Sequence, residues 1–105
     1  MVRFSFVVHT NPVEGREQEY NDWYSNQHLK DLLAIPGVIS ARRFKLSGTQ
    51  IQDVAQTYQY LAIYDIEADD VSSFIKEIML RTENGAIAVS TAMSSDLLPV
   101  FWEAL

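Results

Sequence analysis

The chain predicts an α+β domain in β-α-β-β-α-β order. The strands form one four-stranded antiparallel sheet, with both helices on a single face. Three observations predict it: apolar alternation in segments near both ends and in the middle, two stretches of helical periodicity between them, and punctuation at Asn11-Pro12, Pro36-Gly37 and Ser47-Gly48-Thr49. With 105 residues, of which 48% are hydrophobic, the sequence supports a single domain over 1–105 with a packed core.

Residues 2–9 read as the first strand, with Phe4, Phe6 and Val8 alternating against Arg3, Ser5 and Val7. Residues 14–35 read as the first helix. Glu14 and Glu17 suit its positive N-terminal end, and Pro36 stops it. Residues 38–46 form the second strand, followed by a polar loop to about Gln56. Residues 57–66 form the third, with Tyr58, Tyr60, Ala62, Tyr64 and Ile66 on one face and Leu61 and Ile63 on the other. Residues 70–82 read as the second helix, with Asp69 as N-cap and Val71, Phe74, Ile75 and Ile78 as its apolar stripe. Residues 85–95 are ambiguous, and Ala86-Ile87-Ala88-Val89 suits a short helix. Residues 97–104 close the sheet.

This order is the split βαβ, ferredoxin-like arrangement. It leaves one sheet face bare in a monomer, and apolar side chains fall on that face whichever way the third strand turns. A homodimer through the sheet face is the expected partner arrangement.

Composition excludes several function classes. The chain lacks cysteine, which removes disulfides, thiolate metal sites and a cysteine nucleophile. The net charge is −6 and no basic stripe is visible, so nucleic acid is not an expected partner. No apolar run approaches the ~18 residues of a membrane span, and the first residues do not suit a signal peptide; a cytoplasmic protein is expected. There is no glycine-rich phosphate loop, no Gly-x-Ser-x-Gly elbow and no His-Glu-x-x-His, which sets aside nucleotide enzymes, hydrolases of that class and zincins.

The first helix carries the most informative residue, His28. At 100° per residue, Tyr24, Leu32 and Ile35 fall within about 40° of it and Tyr20 within about 80°. Glu17 and Asn21 share that sector. A packing face does not call for those polar groups, whereas a small-molecule pocket is mostly apolar with a few directed ones. The simpler reading, a satisfied core histidine among core tyrosines, stands beside it. Helix length places His28 near the start of the first strand, beside Arg3 and Phe4 and away from His9, so no two-histidine metal site is expected. Arg42 and Arg43 fall on opposite faces of the second strand; one reaches the pocket, or both are surface charges. Tyr64, in the tyrosine row of the third strand, lines a cavity for a flat ligand or is plain packing.

The run Tyr20-x-x-Trp23-Tyr24-x-x-x-His28 followed by Pro36-Gly37-Val38 resembles the aromatic-Tyr-x-x-x-His segment and Pro-Gly turn of the EthD-like branch of the dimeric α+β barrel superfamily. The resemblance spans essentially the whole chain. It implies a homodimer whose sheets form a shared barrel, with a cleft in each subunit between sheet and helices. Relatives include cofactor-free oxygenases of phenolic polyketides, lactone isomerases, polyketide cyclases and haem-degrading enzymes. Nothing here matches a haem-ligand signature, and no cofactor or metal is expected.

On these grounds His28 and Tyr24 are the expected catalytic pair, with Asn21, Tyr20, Leu32, Tyr64 and Arg43 contacting a hydrophobic aromatic or cyclic metabolite. An imidazole with an ordinary pKa near 6.5 exchanges protons at neutral pH, which serves isomerisation, cyclisation or the opening step of cofactor-free oxygenation alike. The alternatives are a non-catalytic binding module and an accessory protein whose pocket is only packing.

Overall fold

The computed structural model describes residues 1–105. Strand β1 spans Val2–Thr10, helix α1 Glu17–Trp23, a π-helical turn Tyr24–His28 and helix α2 Leu29–Leu33, these last three running on as one rod. Strands β2 and β3 follow at Val38–Lys45 and Tyr60–Ala68, then helix α3 at Val71–Glu83 and strand β4 at Leu98–Glu103. The sheet order is β2-β3-β1-β4 with every neighbouring pair antiparallel, the ferredoxin-like topology that the element order requires.

Alternation decides what the sheet buries. Phe4, Phe6, Val8 and Thr10 of β1 and Tyr60, Ala62, Tyr64 and Ile66 of β3 face the helices and are buried. Tyr20, Tyr24, Leu32 and Ile35 cover them from the first rod, and Phe74 from α3. Phe101 of β4 stacks on Phe6 at 4.2 Å between ring centroids. The opposite face carries Val7, Leu61, Ile63 and Val100, together with the more exposed Phe44, Leu98 and Trp102, and nothing in the chain covers it.

Several boundaries differ from the sequence expectation. The first helix begins at Glu17, not at residue 14. Gly15 takes φ +80° and the Arg16 amide bonds back to the Val13 carbonyl, so Glu14 lies in a turn. The third strand begins at Tyr60, not 57. The Asn11 side chain holds the preceding segment, accepting from the Gln59 amide and donating to the Thr57 carbonyl. Tyr58 therefore leaves the tyrosine row and donates to Asp96 at 3.0 Å instead. Asp70, not Asp69, caps α3, accepting from the Ser73 amide at 2.6 Å. Ile75 is turned outward and is not part of the α3 stripe. Residues 85–95 form no helix: the segment is an irregular run of turns and bends, pinned to the start of the first connection, with the Val13 amide donating to the Ala92 carbonyl and Pro12 bridging Met93.

Candidate functional site

The π turn sets the geometry of the first rod. Residues four apart on an α-helix overshoot a full turn by about 40°, so the row 20, 24, 28, 32 would spiral away from the sheet. At Tyr24–His28 the turn widens, and the Leu29 amide bonds to the Tyr24 carbonyl five residues back. Each residue then rotates by less, and the drift is cancelled within the row. Tyr20, Tyr24 and Leu32 all stay buried, and the His28 ring is carried onto the same side.

There it borders a cavity of about 160 Å³ between the sheet and the helices. Tyr24, His28 and Leu32 form one wall, Phe6, Val8 and Tyr64 the floor, and Ile78 and Thr82 of α3 the far side. The irregular segment after α3 closes it with Ile87, Val89, Met93 and Leu97, and Pro99 completes the ring. His28 was expected beside Arg3 and Phe4. It lies instead over Phe6 and Val8, because the helix starts three residues later and reaches about 4.5 Å less far along β1.

Two buried polar atoms at this cavity have no hydrogen-bond partner: His28 Nδ1 and the Tyr64 hydroxyl. The His28 ring is held between Trp23, at 4.7 Å between centroids, and Tyr24, at 4.9 Å edge-on. Burial lowers its pKa to about 4; the nearby Asp31 carboxylate and the Ala88 backbone offset part of that, and the Arg43 charge adds slightly to it. The imidazole is therefore neutral at pH 7. Burial also raises the Tyr24 phenol to about 12 and drives Tyr64 upward further still. The site at neutral pH is thus an uncharged, largely apolar hollow with unpaired polar atoms. Buried polar groups without partners are uncommon, and each costs about 1–3 kcal/mol. Tyr64→Phe is accordingly expected to raise the unfolding free energy by about 1 kcal/mol in urea denaturation. A loss of stability would mean that the hydroxyl is satisfied.

The structure divides the residues expected at the site. His28, Tyr24, Leu32 and Tyr64 come together at the cavity. Tyr20, Asn21 and Arg43 do not line it; they form a cluster on the other side of the Tyr24 ring. Arg43 donates to Asn21 at 2.8 Å and to Ser25 at 2.9 Å, and its guanidinium lies over the rings of Tyr24, Tyr20 and Tyr60 at 4.5, 5.3 and 5.4 Å. The Tyr60 hydroxyl donates to Glu17 at 2.6 Å, and Tyr20 shares a hydrogen bond with Thr10. These contacts brace the back of Tyr24 and the π turn. Arg42 takes the open face, 3.9 Å from Asp65. His9 also points to that face, its Nδ1 3.3 Å from the Leu98 carbonyl oxygen, so the two histidines lie on opposite sides of the sheet.

Sequence reasoning missed the segment that closes the cavity. Phe6 and Val8 were legible as inward-facing strand residues. Ile87, Val89, Met93 and Leu97 come from a segment with no regular period, and no signal marks them. Trp23 was quoted in the helix run but not assigned to the site.

No protein-family model matches the chain, and no curated protein matches it in sequence. Solved structures do. An ethyl tert-butyl ether D (EthD) family protein from Bacillus halodurans C-125 superposes with a TM-score of 0.66 at 17% identity, covering 100% of both chains. A dimeric ferredoxin-like protein of unknown function from Thermobifida fusca YX gives 0.63 at 14% identity, covering 98% of this chain and 92% of its own. An EthD-like protein from Ralstonia eutropha JMP134 gives 0.60 at 16% identity, covering 99% and 91%. The chain shares their fold, in agreement with the EthD-like resemblance of its first helix.

Proposed function

We propose that this protein binds a small, mostly apolar ring compound in the cavity at His28 and draws a proton from it. The observation that carries this reading is the unpartnered Nδ1 of a neutral imidazole buried beside a hollow. A volume of about 160 Å³ is comparable to the ~150 Å³ apolar cavity that holds benzene, so a single ring fits. His28 acts as acceptor for a ligand hydroxyl, amine or acidic C–H. A base with a pKa near 4 is weak, but an anion forming against the ring favours the imidazolium and raises that value as the proton moves. Tyr64 then donates to the developing oxygen, and Tyr24 shapes the wall beside it. Proton transfer of this kind serves an isomerase, a cyclase or a cofactor-free oxygenase.

The same low pKa favours a second reading, in which the protein holds the ligand without turning it over. The two readings share their first test. Phenol added to ¹⁵N-labelled protein is expected to shift the amides of Tyr24, His28, Leu32 and Ile87 at millimolar concentration, and His28→Leu is expected to weaken binding about tenfold, the value of one hydrogen bond of ordinary strength. Unperturbed amides at all four residues would defeat both readings.

The proposed protein is a homodimer through its open sheet face, and we place it in the cytoplasm. Supporting the dimer are the uncovered row Val7, Leu61, Ile63 and Val100, the exposed Trp102, and a structural neighbour described as dimeric. No helix is long and apolar enough to cross a membrane. Ile63→Glu, which plants a charge in that face, is expected to weaken self-association at least 100-fold, roughly 3 kcal/mol, by sedimentation equilibrium. An unchanged mass would exclude the face.

A further inference from the structure

The segment between α3 and β4 is tied to the rest of the chain unevenly. The Ile87 amide donates to the Arg81 carbonyl at 2.9 Å, and Arg16 donates to the Thr91 carbonyl and hydroxyl at 3.2 and 3.0 Å. Between those two anchors only Ala88 is bonded to another element. Its carbonyl accepts from the Trp23 indole Nε1 at 3.2 Å, and its amide donates to Asp31 Oδ2 at 3.1 Å. Gln27 steadies the other Asp31 oxygen at 2.8 Å. Val89 comes next, and neither its amide nor its carbonyl has a hydrogen-bond partner within the protein.

Val89 has an uncommon place for an apolar side chain. It lines the cavity and yet is 59% exposed, whereas Ile87 on the inner wall is buried. Of the residues around the cavity, Thr82, Val89 and Pro99 are the exposed ones, so the mouth lies between them. A hollow of about 160 Å³ holds one ring. The second ring of a bicyclic compound has to project through the mouth, where the Val89 side chain stands.

We infer that Val89 sets the largest ring system the cavity admits, and that Trp23 and Asp31 are positioning residues that hold it at the mouth through Ala88. Both ties on Ala88 run to side chains, so a substitution releases either one. The gate rests on the same cavity being the binding site, as proposed above. It needs no hydrogen bond to His28, so hydrocarbons test the gate and phenol tests the proton transfer.

Benzene and naphthalene are titrated into the ¹⁵N-labelled full chain, with the Leu32 and Ile87 amides as reporters. The wild type is expected to bind benzene at least about tenfold more tightly than naphthalene, the cost of forcing extra carbons against a filled wall. Val89→Ala is expected to raise naphthalene affinity about tenfold and to leave benzene nearly unchanged. Asp31→Ala, which frees the Ala88 amide, is expected to gain naphthalene in the same way. Asp31→Asn, which can still accept from that amide, is expected to behave as the wild type. Hydrogen exchange reads the clamp without a ligand. Corrected for intrinsic rates, the Ala88 amide is expected to exchange at least about tenfold more slowly than the unbonded Val89 amide, and Asp31→Ala is expected to erase the difference. Naphthalene bound as tightly as benzene by the wild type, a naphthalene affinity unmoved by Val89→Ala, or an Ala88 amide exchanging as fast as that of Val89 would overturn the gate. Phenol that binds no better than benzene, beside a naphthalene affinity that follows Val89 and Asp31, would defeat the proton transfer and leave the gate standing. Phenol bound well beside a naphthalene affinity indifferent to both would do the reverse. Failure of every variant to bind either hydrocarbon or phenol would defeat both.

Discussion

Gly37→Ala is expected to destabilise the fold by about 3 kcal/mol or more, lowering the thermal midpoint by roughly 15 °C. Two independent effects act together. Gly37 has φ +98°, which an L side chain adopts only with strain. A Cβ there would also lie 2.5 Å from the Glu67 carbonyl oxygen, and Glu67 cannot retreat because its amide donates to the Gly37 carbonyl at 2.8 Å. The neighbouring glycines separate the two terms. Gly15→Ala meets open space but keeps a positive φ, so it is expected to cost about 1 kcal/mol. Gly48→Ala, with open space and no such φ, is expected to be nearly neutral. Thermal denaturation of the three variants at one protein concentration checks the order; an ordinary midpoint for Gly37→Ala would show that the turn relaxes.

Acid is expected to cost the native state about 3 kcal/mol between pH 6.5 and pH 4 through His28 alone. The folded pKa lies near 4 and the unfolded value near 6.5. Between them the unfolded chain binds a proton that the native chain refuses, so stability is fully present above pH 6.5 and falls as the pH drops through the window. Below pH 4 both states are protonated at this ring and its contribution stops changing. The carboxylates held low, Asp65 by the Ser5 and Ser40 hydroxyls and Asp70 by the Ser73 amide, begin to lose their contribution only below the ordinary carboxylate value, outside this window. His28→Leu is therefore expected to flatten the profile between pH 4 and 6.5. It also removes an unpartnered buried nitrogen, so at pH 7 the variant is expected to be as stable as the parent or about 1 kcal/mol more so. Urea melts across that range decide the matter. A wild-type profile already flat there would place the ring in water.

What the sequence revealed follows from where periodicity exists. Strict alternation gave the inward rows of β1 and β3 except for Tyr58, which lies before the strand begins, because a strand has only two faces. The first helix was legible as an amphipathic stripe, and the 100° wheel found Tyr24, Leu32 and Ile35. It found His28 for a reason it did not contain: a regular helix would have let the row drift, and the wide turn corrected it. Asn21 and Arg43 were read as ligand contacts because polar groups on a buried stripe invite that reading. They turned out to satisfy each other across the rod and β2. The segment bearing Ile87 and Val89 was illegible, since a run of turns and bends pinned by main-chain bonds imposes no period on its side chains.

The widened turn also makes residue count as decisive as residue type. Removing one position between 24 and 28 would let a regular helix close with Leu32 seven places after Tyr24, about 20° short of two full turns, so Leu32 and Ile35 would stay on the sheet. The same number of residues in a regular helix would instead carry Leu32 about 80° past Tyr24. Two chains that differ by one residue across this turn, one with the wide turn and one with a regular helix, would therefore present the same flanking side chains to the sheet. Phase, more than identity, is what a comparison across this segment has to match.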